Sequence, residues 1–364
     1  MKIAAVDTML LRIPYRQSGP PTGFGGKVWT TLDTLLVRVD TDEGITGWGE
    51  AFGYNVNEGT KATIDSLIAP LCVGRDPTAI AELMTDLQRK LHFFGRGGPV
   101  TYGLSGIDIA LWDIAGKCAG LPLHRLLGGG ARRRLRAYAS LLRYGDPAVT
   151  AKLAAEAVQR GYRHIKLHEI ELAPVASARE GAGRAAALMV DTNCPWSLAE
   201  ARRMAKALAP YDVFWLEEPI WPPEDMDALA ELRRGSPMPI AAGENAGSAV
   251  QFAQMFAVGA VDYAQPSVTK IGGVSELRKV MGLADAANVS VVPHSPYFGP
   301  GLLATLQVLA AAPQETLVER LYVDLEASLF GEFTDAREGM MTVPDGPGLG
   351  CDPDASVIKR FRAA

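Results

Sequence analysis

The chain has 364 residues, 48% of them hydrophobic, and a formal net charge of −5, enough apolar material for a large core and more than one small domain. The acidic balance excludes a general attraction for nucleic acid or an anionic membrane surface, and no stretch reaches the ~18 uninterrupted apolar residues of a membrane span. A cytoplasmic protein is expected. Asp7 breaks what would be the apolar region of a signal peptide, Pro14 follows it, and Cys72, Cys118, Cys194 and Cys351 are scattered with no CxxC pair, as suits reduced thiols.

Residues 1–124 read as an α+β domain. Strand-like alternation in IAAVDTMLLRI is followed by the Gly-rich QSGPPTGFGGKVWT and a second strand-rich segment, DTLLVRVDTDEGITGWGEA. Helical patterns follow in TIDSLIAPLC, TAIAELMTDLQRKL and LSGIDIALWDIAGKCAG, the last closed by Gly120 and Pro122. The basic run Arg132, Arg133, Arg134 and Arg136 reads as a solvated turn before a strand.

From about residue 125 to 335 the texture changes to α/β. RAYASLL, HIKLH, ALMVDTN, VFWLEEPI, PIAAGEN, VDYAQPS, VSVVPHS and TLVERLYV read as strands. Amphipathic helices lie between them, among them TAKLAAEAVQRG, LAEARRMAKALA, MDALAELRRG, AVQFAQMFAVGA, SELRKVMGLADAAN and LLATLQVLAAA. One strand and one helix roughly every 25 residues, eight strands deep, predicts a parallel TIM-type barrel, with an open doubly wound sheet as the alternative. The Gly/Pro-rich tail, 336–364, is expected to pack back on the first domain.

In such a barrel the C-terminal strand ends face the active site. Asp191 in VDTN, Glu217 in WLEEP and Glu244 in AGEN end three successive strands, which places three carboxylates on one ring at the barrel mouth. They would repel one another without a cation, and an oxygen-only donor set that leaves positions for water or substrate suits Mg²⁺. Asn193 and Glu218 lie beside two of these acids, within reach of supporting or substrate contacts. Strand alternation points Lys166 and His168 of HIKLH the same way, on the strand before Asp191, and VVPHS places His294 on the far side of the barrel. Bases flanking a carboxylate held by a cation suit removal of an α-proton from a small-molecule carboxylate substrate. Glu319, in LVERL, could donate to a substrate oxygen if the acidic ring raises its pKa.

The succession VDTN, WLEEP, AGEN, KIGG, PH and VERL, with SGIDIALWDIAGK upstream and VPDGPGLG near the end, closely resembles the mandelate racemase branch of the enolase superfamily. The resemblance covers nearly the whole chain. It implies a capping α+β domain over a (β/α)7β barrel, Mg²⁺ on Asp191, Glu217 and Glu244, an enediolate intermediate, and a homo-oligomer. Members usually carry Lys-x-Lys on the second barrel strand. By that match Lys166 contacts the substrate carboxylate and His168 replaces the basic second lysine, and an imidazole of ordinary pKa near 6.5 is largely neutral at pH 7.

Two features bear on the reaction. The family's strand-seven histidine usually pairs with an Asp after strand six, where this chain has Ser267, and the lactonising branch has a lysine there. One base with a weaker acid fits dehydration of an acid sugar or other hydroxy acid to a 2-keto acid. A racemase, epimerase or cycloisomerase on the same site is the second reading, and a barrel that binds without catalysis the third. The loops GPPTGFGGKVWT and AFGYN are expected to select the substrate, with Phe24, Trp29, Phe52 and Tyr54 offering apolar or stacking contacts.

Overall fold

The computed structural model describes residues 1–23, 27–130 and 132–363. Three long antiparallel strands, β1 (Ile3–Arg16), β2 (Thr31–Thr41) and β3 (Thr46–Ala51), open the chain. The helix Pro99–Ala119 packs on them so closely that a Cβ at Gly49 would meet the Gly106 carbonyl oxygen at 1.9 Å, which explains the small residues of TGWGEA. Gly120, at φ 64°, ends that helix. The segment read as TIDSLIAPLC belongs to a helix that begins at Asn57 and widens to a π turn over Ile64–Ile68, just before Pro70. Proline offers no amide hydrogen and crowds the carbonyl four residues back, so the widened turn sits where regular bonding fails.

Eight parallel strands follow: β4 (Arg134–Ser140), β5 (His164–Leu167), β6 (Ala187–Asp191), β7 (Val213–Glu217), β8 (Ile240–Ala242), β9 (Tyr263–Ala264), β10 (Ser290–Val291) and β11 (Leu317–Leu321). Each of β4 to β9 pairs with the next, and β11 pairs back onto β4, with Glu319 opposite Tyr138. The Thr316 hydroxyl donates to the Val291 carbonyl (2.6 Å) across the remaining seam. This closure makes a barrel and removes the open-sheet alternative.

Among the described residues seven helices connect the strands, and none separates β11 from the extended residues that follow it, which is the (β/α)7β order. Asp146, Ser197, Asp225 and Ser248 accept amide bonds at four helix starts. The helix Leu172–Ala182 carries a weak sequence signal, because LAPVASAREGA has few large apolar residues to mark a buried face. Inside the barrel Tyr138, Met189, Trp215, Ala241 and Val292 pack together and form the floor of the site.

The tail runs along both parts of the molecule. Met340–Thr342 pairs antiparallel with β4, Leu349 N–H donates to Asp113 (2.8 Å), and Arg362 bridges to Leu11 on β1. The four cysteines are free, and no helix among the described residues is long and apolar enough to cross a membrane.

Cap and barrel are tied by buried polar contacts. Ser105 and Asp108 of Pro99–Ala119 accept from Gly272 N–H (2.8 Å) and Ser275 N–H (2.9 Å). Glu50 on β3 accepts from Gly301 N–H (2.8 Å) at the start of the helix Pro300–Ala311. Burial pushes the Glu50 carboxyl up to about 7 from 4.5, against the lowering effect of that bond. A folded pKa above the unfolded one means the native state holds the proton more tightly, so this group's contribution falls as pH rises between about 4.5 and 7. Glu50→Gln is therefore expected to flatten the pH dependence of stability and to raise the thermal midpoint at about pH 8, as calorimetric scans at the two ends of that range would read.

Candidate active site

The strand ends set the geometry. Asp191 and Glu217 are register partners on β6 and β7, and Glu244 follows β8 by two residues. One carboxylate oxygen from each of the three lies within 4.8 Å of the other two. Asp191 and Glu217 are fully buried, while Glu244 borders the cavity. The indole N–H of Trp215, two residues before Glu217 and on the same face of the strand, donates to Glu217 Oε2 (2.9 Å) and fixes its rotamer. Asn193 N–H donates to Asp191 Oδ1 (3.1 Å), and the Asn193 side chain accepts from Arg143 (2.9 Å).

Lys166 lies at the bottom, wholly buried, its ammonium 3.2 Å from Asp191, 2.8 Å from Glu217 and 3.0 Å from Glu319. Leu167 turns outward into the core under the helices. His168 then returns to the Lys166 side, with Nε2 at the same 3.2 Å from Asp191 Oδ2. Its Nδ1 bonds the Leu141 carbonyl, so that nitrogen carries the ring hydrogen and Nε2 is the basic atom, facing the acids and the cavity.

Charge balance tests whether a divalent cation fits. Burial and neighbouring Asp191 push Glu217 well above the carboxylate range, with Lys166 opposing. Burial acts the same way on Asp191, but Lys166 and His168 overcome it and hold that carboxyl below its ordinary value. Glu217 thus tends to keep a proton because three acids, Asp191, Glu217 and Glu319, surround one ammonium, and an oxygen-only set short of positive charge accommodates Mg²⁺.

Glu319 departs from expectation. Burial alone would raise it, yet Lys166 and His294, with bonds from Lys166 and the Ser140 hydroxyl, bring it down to about 2. Ser295 N–H also donates to it (2.9 Å). These contacts favour the carboxylate form, paired with Lys166 at 3.0 Å, whereas the expected acid needs the acidic ring to outweigh that ammonium.

Across the cavity His294 Nε2 lies 3.0 Å from Glu244. Its Nδ1 meets Ser267 Oγ at 3.4 Å, and Ser267 in turn bonds the Tyr297 hydroxyl. A pair of neutral hydroxyls therefore stands where the family usually has an orienting carboxylate. Burial lowers the His294 pKa, with Glu244 and Glu319 opposing and Lys270 and Lys166 adding to the lowering.

A cavity of about 420 Å³ opens above these groups, between cap and barrel. Its cap side is an aromatic wall: Trp29 packs on Tyr54 (5.1 Å between centroids), Tyr54 on Phe52 (4.8 Å) and Phe52 on Tyr102 (4.9 Å). Tyr54 also donates to the Pro296 carbonyl (3.3 Å). Phe24 lies outside the described residues. Glu218, at φ 45°, turns away from the cavity and accepts from Gly243 N–H (2.9 Å) and Cys194 (3.2 Å), bracing the end of β8.

Two basic residues outside the expected site set, Arg143 and Lys270, also line the cavity. Arg143 follows β4, donates to the His168 (2.7 Å) and Thr192 (3.0 Å) carbonyls, and lines the cavity. Its position after the first barrel strand was a usable signal. Lys270 does sit in the turn after β9, but that turn points it into the cavity.

Comparison with known proteins agrees with this geometry. Residues 14–128 match the family "Mandelate racemase / muconate lactonizing enzyme, N-terminal domain", and residues 149–357 match "Enolase C-terminal domain-like". The chain is 33% identical to a D-galactarolactone cycloisomerase of Agrobacterium fabrum, over 100% of this chain and 99% of that protein. It is also 33% identical to a D-galactonate dehydratase of Ralstonia nicotianae, over 91% of each. A crystal structure of a Streptomyces coelicolor racemase with bound magnesium superposes with a TM-score of 0.87 at 29% identity, covering 99% of this chain and 100% of that one. Two matched domains, an eight-stranded barrel and three converging strand-end carboxylates place the chain in the mandelate racemase/muconate lactonizing enzyme group of the enolase superfamily.

Proposed function

We propose that this chain is a Mg²⁺-dependent enzyme that removes the proton α to the carboxylate of an acid sugar and then expels the β-substituent, giving a 2-keto-3-deoxy acid. The observation that carries the reading is the pair of imidazoles flanking the acidic triad, His168 Nε2 at 3.2 Å from Asp191 and His294 Nε2 at 3.0 Å from Glu244. Mg²⁺ on Asp191, Glu217 and Glu244 would supply positive charge for the substrate carboxylate and for the enediolate that forms as the α-proton leaves.

The residues divide the remaining work. Lys166, anchored by Glu319, presents its ammonium to the substrate carboxylate. His168 takes the α-proton on Nε2, its tautomer fixed by the Leu141 carbonyl. His294 delivers a proton to the departing β-oxygen, and the aromatic wall of Trp29, Phe52 and Tyr54 restricts water above the reacting carbons. The two sides are unequal, because His294 rests on hydroxyls and His168 on a carbonyl, and this asymmetry favours elimination over the matched bases of a racemase.

Dehydration is the leading reading. Cycloisomerisation is the second, favoured by the whole-chain similarity to the D-galactarolactone enzyme: if the β-oxygen belongs to a ring, the same elimination opens the ring with no loss of atoms. Mass spectrometry of products from aldonates, aldarates and their lactones separates the two. Loss of one water supports dehydration, an isomer of unchanged mass supports cycloisomerisation, and absence of either reaction across the panel rejects the proposal. A cytoplasmic location and a homo-oligomeric assembly belong to the same proposal, supported by the scattered free thiols and by the family resemblance.

A further inference from the structure

Lys270 is a cation in the cavity wall that the proposed chemistry does not use. It is 91% buried (9% exposed), lines the cavity beside His294 and Glu244, and forms no ion pair with a carboxylate among the described residues. Its ammonium lies over the face of Phe52, 5.0 Å from the ring centroid. Lys166, by contrast, is matched by three carboxylates within 3.2 Å. A nearly buried ammonium loses hydration that one ring face repays only in part, so an anion supplied by the ligand is its natural complement.

The position is built rather than incidental. The turn 267–273 is stapled by Lys270 N–H and Ile271 N–H to the Ser267 carbonyl (2.9 and 3.1 Å). Gly272 N–H reaches Ser105 of the cap (2.8 Å), and at Gly273, with φ 82°, a Cβ would collide with the Asp108 carboxylate at 2.3 Å. The cap therefore fixes both the turn that carries Lys270 and the ring of Phe52 beneath its ammonium.

The geometry points to Lys270 as a second anion subsite that selects acid sugars carrying a second carboxylate at the end remote from the reacting one. This deepens the proposed function and rests on it for the placement of the reacting carboxylate on Lys166 and the triad. Arg143 lines the same cavity, but its Nε and Nη2 are held by the His168 and Thr192 carbonyls and by Asn193, whereas among the described residues no oxygen accepts from the Lys270 ammonium. A carboxylate fits one point-like ammonium. A terminal phosphate would call for more donors than the single lysine provides.

The test uses the Mg²⁺-loaded enzyme and three six-carbon probes: galactarate with two carboxylates, galactonate with one, and 6-phosphogluconate. Affinity is read by calorimetry where no reaction occurs, and kcat/KM where one does. We expect the wild type to favour galactarate over galactonate at least ~10-fold, as one charge-assisted contact allows. Lys270→Met should reduce that ratio to near one and Lys270→Arg should keep most of it, with circular dichroism reporting the fold of each. A wild type that favours galactonate or treats the two alike overturns the inference, as does a Lys270→Met variant that retains the ratio. A preference for 6-phosphogluconate lost in Lys270→Met would move the anion from carboxylate to phosphate and overturn the diacid assignment. Turnover of galactonate without a diacid preference removes this inference and leaves the proposed function standing. Lys270-dependent binding of galactarate with no α-proton exchange on any acid sugar does the reverse.

Discussion

His168→Asn is expected to lower the rate of α-proton exchange between an acid-sugar substrate and solvent by ~10²–10⁴-fold, the usual contribution of a positioned general base. The side chain lies at the cavity edge of the triad, and its Nδ1 contact with the Leu141 carbonyl serves orientation alone. Asparagine can reproduce that polar contact but offers no basic nitrogen. Mg²⁺ affinity should change little, because His168 is a neighbour of Asp191 rather than one of the three converging carboxylates. Exchange followed by NMR, with Mg²⁺ binding titrated on the same sample, checks both halves. Wild-type exchange in the variant would remove His168 from the role of base and leave Lys166 as the candidate.

Glu217→Gln should act on the other quantity. It removes one of three carboxylates from the cation site while preserving shape and an oxygen for the Trp215 indole. Affinity for Mg²⁺ is expected to fall by more than the ~10–100-fold typical of residues that merely support a ligand, and turnover at fixed Mg²⁺ should fall with it. The fold should tolerate the change in the absence of metal, since Lys166 keeps Asp191 and Glu319 as partners and one crowded negative charge is removed. A calorimetric titration matching the wild type would exclude Glu217 from the ligand set.

The barrel was legible because its strands are short, apolar and regularly spaced, and because acids at three successive strand ends have no packing reason to be in phase. The strand HIKLH showed most: period-two alternation alone placed Lys166 and His168 on one side, and both meet the same oxygen of Asp191. Other features depend on distant parts of the chain. The state of Glu319 follows from Lys166, which lies on a strand two places round the barrel and 153 residues earlier in sequence by their numbers. The partner of His294 changed from a carboxylate to the Ser267–Tyr297 pair, and nothing in PHSPYFG marks Tyr297 as the residue that meets Ser267. Lys270 sits in a short turn, and the cap helix decides where that turn aims. The helix Leu172–Ala182 was illegible for a simpler reason, since small side chains bury little area and leave no periodic signal.

The central claim, proton removal α to a carboxylate at the His168 face of the triad, is tested most directly by proton NMR of the Mg²⁺-loaded enzyme in D₂O with acid sugars and their lactones. The account predicts loss of the α-proton signal together with a new 2-keto-3-deoxy spectrum that carries deuterium from solvent, both abolished by removing Mg²⁺. An unchanged α-proton signal across the panel, or exchange that persists without a divalent cation, would contradict it.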